Sequence, residues 1–342
     1  MSFALRSLMP LLKKWALRAM RCRKLPMVCW QRGSSELGKQ RKSFRVFEEI
    51  SMAAISQRAV SKAILAGEHF VVHGSPALAI PIFDLYLDCS LLPNQPHSHE
   101  NSLIQQGWEI CRKHLGHLPG KWGIQIESKI PLASGMGSSA ALSVALARAY
   151  GQALGKKLTP QEVFEISMEL EKIAHGKPSG IDSTVITYEK PLYFRKNKPP
   201  RFFEGSKKVG IIILDTHSPS STRETVSRVQ EFRNHNSSRF DQIAQKANEV
   251  VEEFFQALIE GDLPNLASLA LENHNLLKEI GVYSSITDQA QEAALKAGAK
   301  GAKMSGGGGG GIVLAFSEPD QMDAIKNRLK ETPFTPLVSL VF

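Results

Sequence analysis

Cysteine is scarce in this chain, with Cys22, Cys29, Cys89 and Cys111 the only four among 342 residues. They have neither metal-ligand spacing nor the density of a disulfide scaffold, so a reducing cytoplasm is the compartment the sequence favours. Long apolar runs are missing too. None approaches the roughly 18–20 residues of a bilayer-spanning helix, which excludes a membrane span. Internal repeats are absent, and the six glycines of residues 306–311 are the only low-complexity stretch. Collagenous, coiled-coil and disordered classes are thereby excluded.

Charge of one sign is lacking over most of the chain, although the net value of +9 looks like a nucleic-acid footprint. Residues 1–50 hold 12 Lys+Arg and 3 Asp+Glu; subtracting these from the totals of 42 and 33 leaves 30 of each sign. The basicity belongs to an amino-terminal extension, and the charge of the remainder indicates no nucleic-acid groove. Within the extension Leu5, Leu8, Leu12, Trp15 and Ala19 recur at helical spacing, with Lys13, Lys14, Arg18 and Arg21 between them. Pro10 limits any helix to starting near it. A basic membrane-surface or targeting helix is one reading. The favoured one is a poorly ordered leader over residues 1–55 or a mis-assigned start, with Met52 opening the working protein.

From Ser56 onward strand and helix patterns alternate. Residues 59–66 predict a short buried strand. Phe83, Leu85, Leu87 and Cys89 alternate with polar neighbours, as do Trp122, Ile124 and Ile126, which predicts two half-buried strands. An Ala/Leu-rich segment over 138–154 predicts a buried helix. Thr159, Pro160 and Glu162 form the signature of a capped helix start. Residues 209–214 predict a strand. Phe240, Ile243, Ala247, Val250, Val251, Phe254 and Leu258 form one face of a long helix closed by Gly261. A helix over 288–297, a strand over 312–316, a helix over 321–330 and a strand over 336–342 complete an α+β pattern of two lobes meeting near residue 208.

Three segments carry chemistry. In PLASGMGSSAALSVALA (131–147) a Gly/Ser-rich loop opens onto a helix, so backbone N–H groups and the helix dipole converge as a phosphate seat would require. Gly135 and Gly137 allow close approach, and Ser138 or Ser139 offers a hydroxyl to phosphate or Mg²⁺. The Lys-Ser/Thr of a Walker A loop is absent. An ordinary loop with serine caps fits this segment equally well. The glycine run 306–311 is either a linker or a place where backbone touches something closely; its position between a helix and an apolar strand favours close packing against the first loop. In EKIAHGKPSGID (171–182), Glu171 lies near the end of the capped helix and Asp182 lies beyond the turn HGKPSG. Two carboxylates near a phosphate seat suit phosphoryl transfer, one holding Mg²⁺ and one facing the attacking hydroxyl. A surface turn with solvated charges is the alternative.

Together with KAILAGEHFVVHG (62–74) and KMSGGGGGG (303–311), these segments resemble, in order, the motifs of the GHMP kinases over residues 56–342. The resemblance implies the two-lobed GHMP fold, an ATP-binding domain over 56–207 and a carboxy-terminal domain over 208–342 whose last strand could return to the first. It places the active site in the cleft between lobes. It assigns Asp182 as the catalytic carboxylate with Lys62 beside it, and Ala133, Ser134, Gly135, Met136, Gly137, Ser138 and Ser139 around the ATP phosphates. Ser139 and Glu171 would hold Mg²⁺. Glu68, His69 and Thr222 would line the substrate pocket, and Gly306, Gly307, Gly308 and Gly309 would form the second loop. HGKPSGID points to the members that phosphorylate mevalonate for isoprenoid synthesis. A kinase of phosphomevalonate or another small alcohol remains an alternative, as does a non-catalytic binding protein; the presence of Lys62, Ser139, Glu171 and Asp182 argues against the last. Oligomeric state is left open, a homodimer included. Two departures from the family pattern stand out: Val60-Ser61 where Pro-Gly is usual, and Gly307 where alanine is usual, which should loosen the loop.

Overall fold

The first strand sets the frame. In β1 (Ile55–Ala66), Ser56 and Arg58 face outward, and every residue from Ala59 to Ala66 is buried. The structure, a computed structural model, describes residues 54–95, 102–176, 178–220 and 222–342. The expectations for the amino-terminal extension therefore fall outside the described residues, except at Ala54 and Ile55. β1 pairs antiparallel with the longer β2 (Ala77–Pro93). Val60 lies opposite Tyr86 but Ser61 lies opposite Ile82, so residues 83–85 bulge from the ladder. That bulge corrects the predicted alternation: Phe83 is 58% exposed, whereas Leu85, Leu87 and Cys89 are buried. Extra residues in one strand reset which face each side chain takes.

β3 (Trp122–Ser128) pairs with the far end of β2, while β4 (Leu192–Phe194) pairs with its start and carries β5 (Arg201–Phe202). Helices α1 (Ser102–Leu115), α2 (Ser138–Ala153), α3 (Pro160–His175) and α4 (Ile181–Tyr188) accompany this sheet. The small side chains of α2 let it bury 11 of its 16 residues between β1, β2 and its helical neighbours. Its core cluster includes Cys89 and Cys111, both buried and unpaired. α3 starts with the predicted capping box: Thr159 Oγ1 accepts from Glu162 N–H at 3.3 Å, and Glu162 accepts from Thr159 N–H at 2.7 Å.

The second sheet has the order β7-β8-β6-β9, all antiparallel: β7 (Gly301–Ser305), β8 (Ile312–Ser317), β6 (Gly210–Asp215) and β9 (Thr335–Val341). The last strand lies beside β6 at the edge of this sheet. Helices α5 (Thr222–His235), α6 (Ser237–Glu260), α7 (Leu263–Glu279), α8 (Ser285–Lys296) and α9 (Met322–Leu329) complete the described chain. α6 buries the seven apolar residues of its predicted face and ends at Gly261 with φ 73°. β7 carries no strand signature in sequence. It forms by pairing with β8 under α7, packed so closely that a Cβ on Gly301 would come within 2.6 Å of Ala267 Cα. The sheets meet where β1 touches β7: Ser305 Oγ donates to Ile64 C=O at 2.8 Å and accepts from Ile64 N–H at 3.1 Å.

Thr159→Ala removes the side-chain half of the α3 cap. Urea unfolding should show a loss of about 1 kcal/mol with an unchanged m value.

Candidate active site

Lys62 is the hub. Its backbone N–H donates to Met136 C=O at 3.2 Å, pinning β1 to the loop before α2. Its side chain is 3% exposed, and Nζ donates to Gly135 C=O at 2.8 Å while lying 3.1 Å from Asp182 Oδ1. The stem passes over Gly137, where a Cβ would sit 3.2 Å from the lysine carbons; Gly137 itself has φ 77°, the left-handed region that glycine adopts freely. Asp182 occupies the first turn of α4, entered through Gly180 at φ 91°. The segment 171–182 is thus the end of one helix and the start of another joined by the glycine-punctuated turn.

Gly137 is the N-cap of α2 and supplies no side-chain cap, so the positive end of this 16-residue helix faces the loop without a side-chain acceptor. Ser138 and Ser139 open the helix. Glu171, one turn before the end of α3, is 4% exposed, and its Oε1 has no hydrogen-bond partner. Burial pushes its carboxyl up to about 7, and the Asp182 charge adds to that; the Ser139 hydroxyl and Lys62 pull the other way. His175, one turn beyond Glu171, brings Nε2 to 3.0 Å from Ser139 Oγ and 3.8 Å from Glu171 Oε2. His175 carries no expectation from the motifs, although its i+4 spacing from Glu171 on a capped helix is a signal for it.

The glycine run closes against the loop, as close packing required. Ser220 N–H donates to Ala133 C=O at 2.6 Å, Ser220 Oγ to Gly308 C=O at 2.9 Å, and Gly311 N–H to Ser218 C=O at 2.7 Å. A Cβ on Gly306 would stand 3.1 Å from Gly135 C=O, and one on Gly311 2.5 Å from Ser134 C=O. Gly307 is not loose. The space its Cβ would take is filled by Thr222, and its carbonyl accepts from His69 Nε2–H at 3.0 Å and from Thr225. That carbonyl can only accept, so His69 is protonated on Nε2.

Lys62, Gly135, Ser139, Glu171 and Asp182 are therefore gathered in one place, and His69 and Thr222 meet at Gly307, whose backbone N lies 3.6 Å from where a Cβ on Gly135 would stand. Glu68 is buried beside His69, 1% exposed, its carboxylate ion-paired with Lys303. Lys303 opens the KMSGGGGGG segment, where its sequence context assigns it no role. A surface hollow between α1 and α3, lined by residues such as Gln106, Glu109, Ile110, Lys113 and Ile173, contains none of these groups.

A chain with this arrangement has known relatives. The GHMP kinases N terminal domain matches residues 102–190, and the GHMP kinases C terminal family matches residues 254–333. The chain belongs to the GHMP kinase family, and it is an ATP-using kinase of a small molecule. Among the members it matches, the mevalonate kinase of Aeropyrum pernix is 30% identical over 288 residues, covering 78% of this chain and 89% of that protein. The mevalonate kinase of Thermococcus gammatolerans is 29% identical over 320 residues, covering 82% and 94%. The crystal structure of L. major mevalonate kinase in complex with R-mevalonate superposes with a TM-score of 0.73 at 29% identity, over 82% of this chain and 93% of that one. A Streptococcus pneumoniae phosphomevalonate kinase, 17% identical with a TM-score of 0.71, shares the fold.

Burial of His69 holds its imidazole down at about 4. The unfolded chain takes up that proton below about 6.5 and the folded chain does not, so this contribution is intact above 6.5 and is lost as pH falls from 6.5 towards 4. His69→Asn removes the titrating imidazole while keeping a polar side chain at this position. Urea titrations should show this variant losing less stability than the wild type between pH 7 and 4, by up to about 3 kcal/mol.

Proposed function

We propose that this chain transfers the γ-phosphoryl group of ATP to the 5-hydroxyl of mevalonate, giving 5-phosphomevalonate and ADP in isoprenoid precursor synthesis. The observation that carries the reading is the Lys62–Asp182 contact beside the N-terminus of α2. Asp182 accepts the hydroxyl proton as the oxygen attacks phosphorus. Lys62 holds that carboxylate in place and stabilises the charge developing on the oxygen. Residues 133–139 receive the nucleotide phosphates on the helix N-terminus and loop amides.

The donors at hand suit Mg²⁺, a hard cation that takes oxygen ligands and keeps several waters. Glu171 has a buried oxygen without a partner, and Ser139 supplies a hydroxyl. In this reading those two residues hold the ion, and Mg²⁺ supplies neutralisation of charge across the ATP phosphates. His69 and Thr222 border the substrate, with Glu68 buried beside His69; Gly306, Gly307, Gly308 and Gly309 close the nucleotide loop. Every one of these groups comes from a single chain, so a homodimer is not needed to complete the site. The buried, unpaired Cys89 and Cys111 support a cytoplasmic location.

Purified protein with ATP and Mg²⁺ should release ADP on addition of mevalonate, and far more slowly with phosphomevalonate, homoserine or galactose. Turnover independent of mevalonate, or a preference for another alcohol, contradicts the proposal. Asp182→Asn and Lys62→Met should each lower kcat by about 100- to 10,000-fold with thermal midpoints close to the wild type.

A further inference from the structure

Where α2 begins and α3 ends, a side-chain bond ties the two helices together. His175 is the last residue of α3, and its Nε2 lies 3.0 Å from the hydroxyl of Ser139, the second residue of α2. Gly176 closes α3 directly afterwards, its N–H donating to Lys172 C=O at 2.8 Å, and the chain turns through Gly180 towards Asp182. Glu171 stands four residues before His175 on the same helix face. Its Oε2 is 3.8 Å from Nε2, beyond hydrogen-bond reach. His175 therefore binds Ser139 and only borders Glu171.

Holding the helices together is not the work this bond does. Val163, Ile166 and Leu170 of α3 share one buried apolar cluster with Ala140 and Leu146 of α2. The imidazole is half exposed at the rim of that packing, where a hydrogen bond adds little net stability. Its effect falls on the direction of one hydroxyl. A serine in a helix can turn its hydroxyl back onto the backbone. Ser143, one turn further along α2, does so: its Oγ donates to Ser139 C=O at 2.8 Å. Ser139 Oγ is turned to His175 instead. A hydroxyl has one proton and two lone pairs, so a bond to imidazole leaves a lone pair for a cation whichever ring nitrogen carries the proton.

We propose that His175 is a positioning residue of the metal seat, which holds the Ser139 hydroxyl off the helix backbone and beside Glu171, so that both oxygens are presented together to Mg²⁺. The inference rests on the reading of Ser139 and Glu171 as the residues that hold the ion. It adds the group that fixes one of them in place. His175 acts through Ser139 alone, and Nε2 is the atom that matters. Loss of such a partner of a metal ligand typically weakens metal binding by about 10- to 100-fold.

Mn²⁺ takes the same oxygen ligands as Mg²⁺, and its free form is counted by electron paramagnetic resonance. The test titrates Mn²⁺ into the full chain held in excess over ADP and reads the metal dissociation constant, with a thermal midpoint for each protein. The variants are His175→Asn, His175→Leu, His175→Gln, Ser139→Ala, Glu171→Gln and the double variant Ser139→Ala/His175→Asn. Asparagine carries its amide where imidazole has Nδ1 and stops short of Ser139, whereas glutamine reaches the place of Nε2. His175→Asn and His175→Leu should each weaken Mn²⁺ binding about tenfold or more at an unchanged midpoint, and His175→Gln should stay within about threefold of wild type. In the Ser139→Ala background, His175→Asn should cost no more than about twofold further. Wild-type affinity in His175→Asn overturns the inference, as does a His175→Gln as weak as His175→Asn, or a loss undiminished without the Ser139 hydroxyl. Should one of the Asn and Leu variants not fold, the other carries the same comparison. Ser139→Ala and Glu171→Gln separate the two failures. If both bind Mn²⁺ as wild type does, the reading of the metal seat has failed; if both bind weakly while His175→Asn does not, only the role of His175 falls.

Discussion

A single ammonium group, that of Lys62, ties the site together. It is buried, so it must be compensated, and it finds one partner in the Gly135 carbonyl and another in the Asp182 carboxylate. Those partners belong to a loop and a helix 47 residues apart in sequence, and the lysine fixes their separation. The demand reaches into the backbone. Gly137 must lack a side chain for the lysine stem to cross it, and its left-handed conformation lets the chain turn into α2 with the helix N-terminus left clear. In the proposed chemistry the same ammonium that organises the ground state faces the charge that develops during transfer, so little reorganisation is needed when the reaction occurs.

The glycine run is the second constraint. Ordering six glycines is entropically costly. The chain recovers part of that cost through backbone hydrogen bonds to Thr216 and Ser218, through the Ser220 hydroxyl on the Gly308 carbonyl, and through contacts that no side chain would permit, such as Gly311 on the Ser134 carbonyl. Gly307 illustrates why composition misleads. Its lack of a side chain suggested a looser loop, yet Thr222 fills the vacated space and two side chains bind its carbonyl.

Much of the fold was legible because it rests on local rules. The α3 capping box, the α6 apolar face and the Gly261 stop are written within a few residues each, and all three are found. The bulge at 83–85 was not legible, because the alternation of Phe83 with Leu85 continues unbroken in sequence while the pairing partner dictates the slip. β7 was missed for a related reason: GAKMS has little strand propensity, and only β8 on one side and α7 above make it a strand. The loop glycines, Lys62, Glu171 and Asp182 could be marked as a set because ordered motifs carried them. Lys303 and His175 could not, since each gains its meaning from a partner distant in sequence or one turn away on a helix whose facing loop was unknown. Glu68 shows the reverse: its motif was read as part of a pocket wall, and the structure places its carboxylate in a buried pair with Lys303.

The central claim is that Asp182 and Lys62 direct one particular oxygen of mevalonate, the primary hydroxyl at carbon 5, at the γ-phosphorus. Proton-coupled phosphorus NMR of the product tests this directly, because a phosphate ester on a CH₂–O group is split by two protons and one on the tertiary carbon-3 oxygen is not. The account predicts a phosphomonoester triplet that grows in step with ADP. A product signal without that splitting, or inorganic phosphate alone, would contradict it.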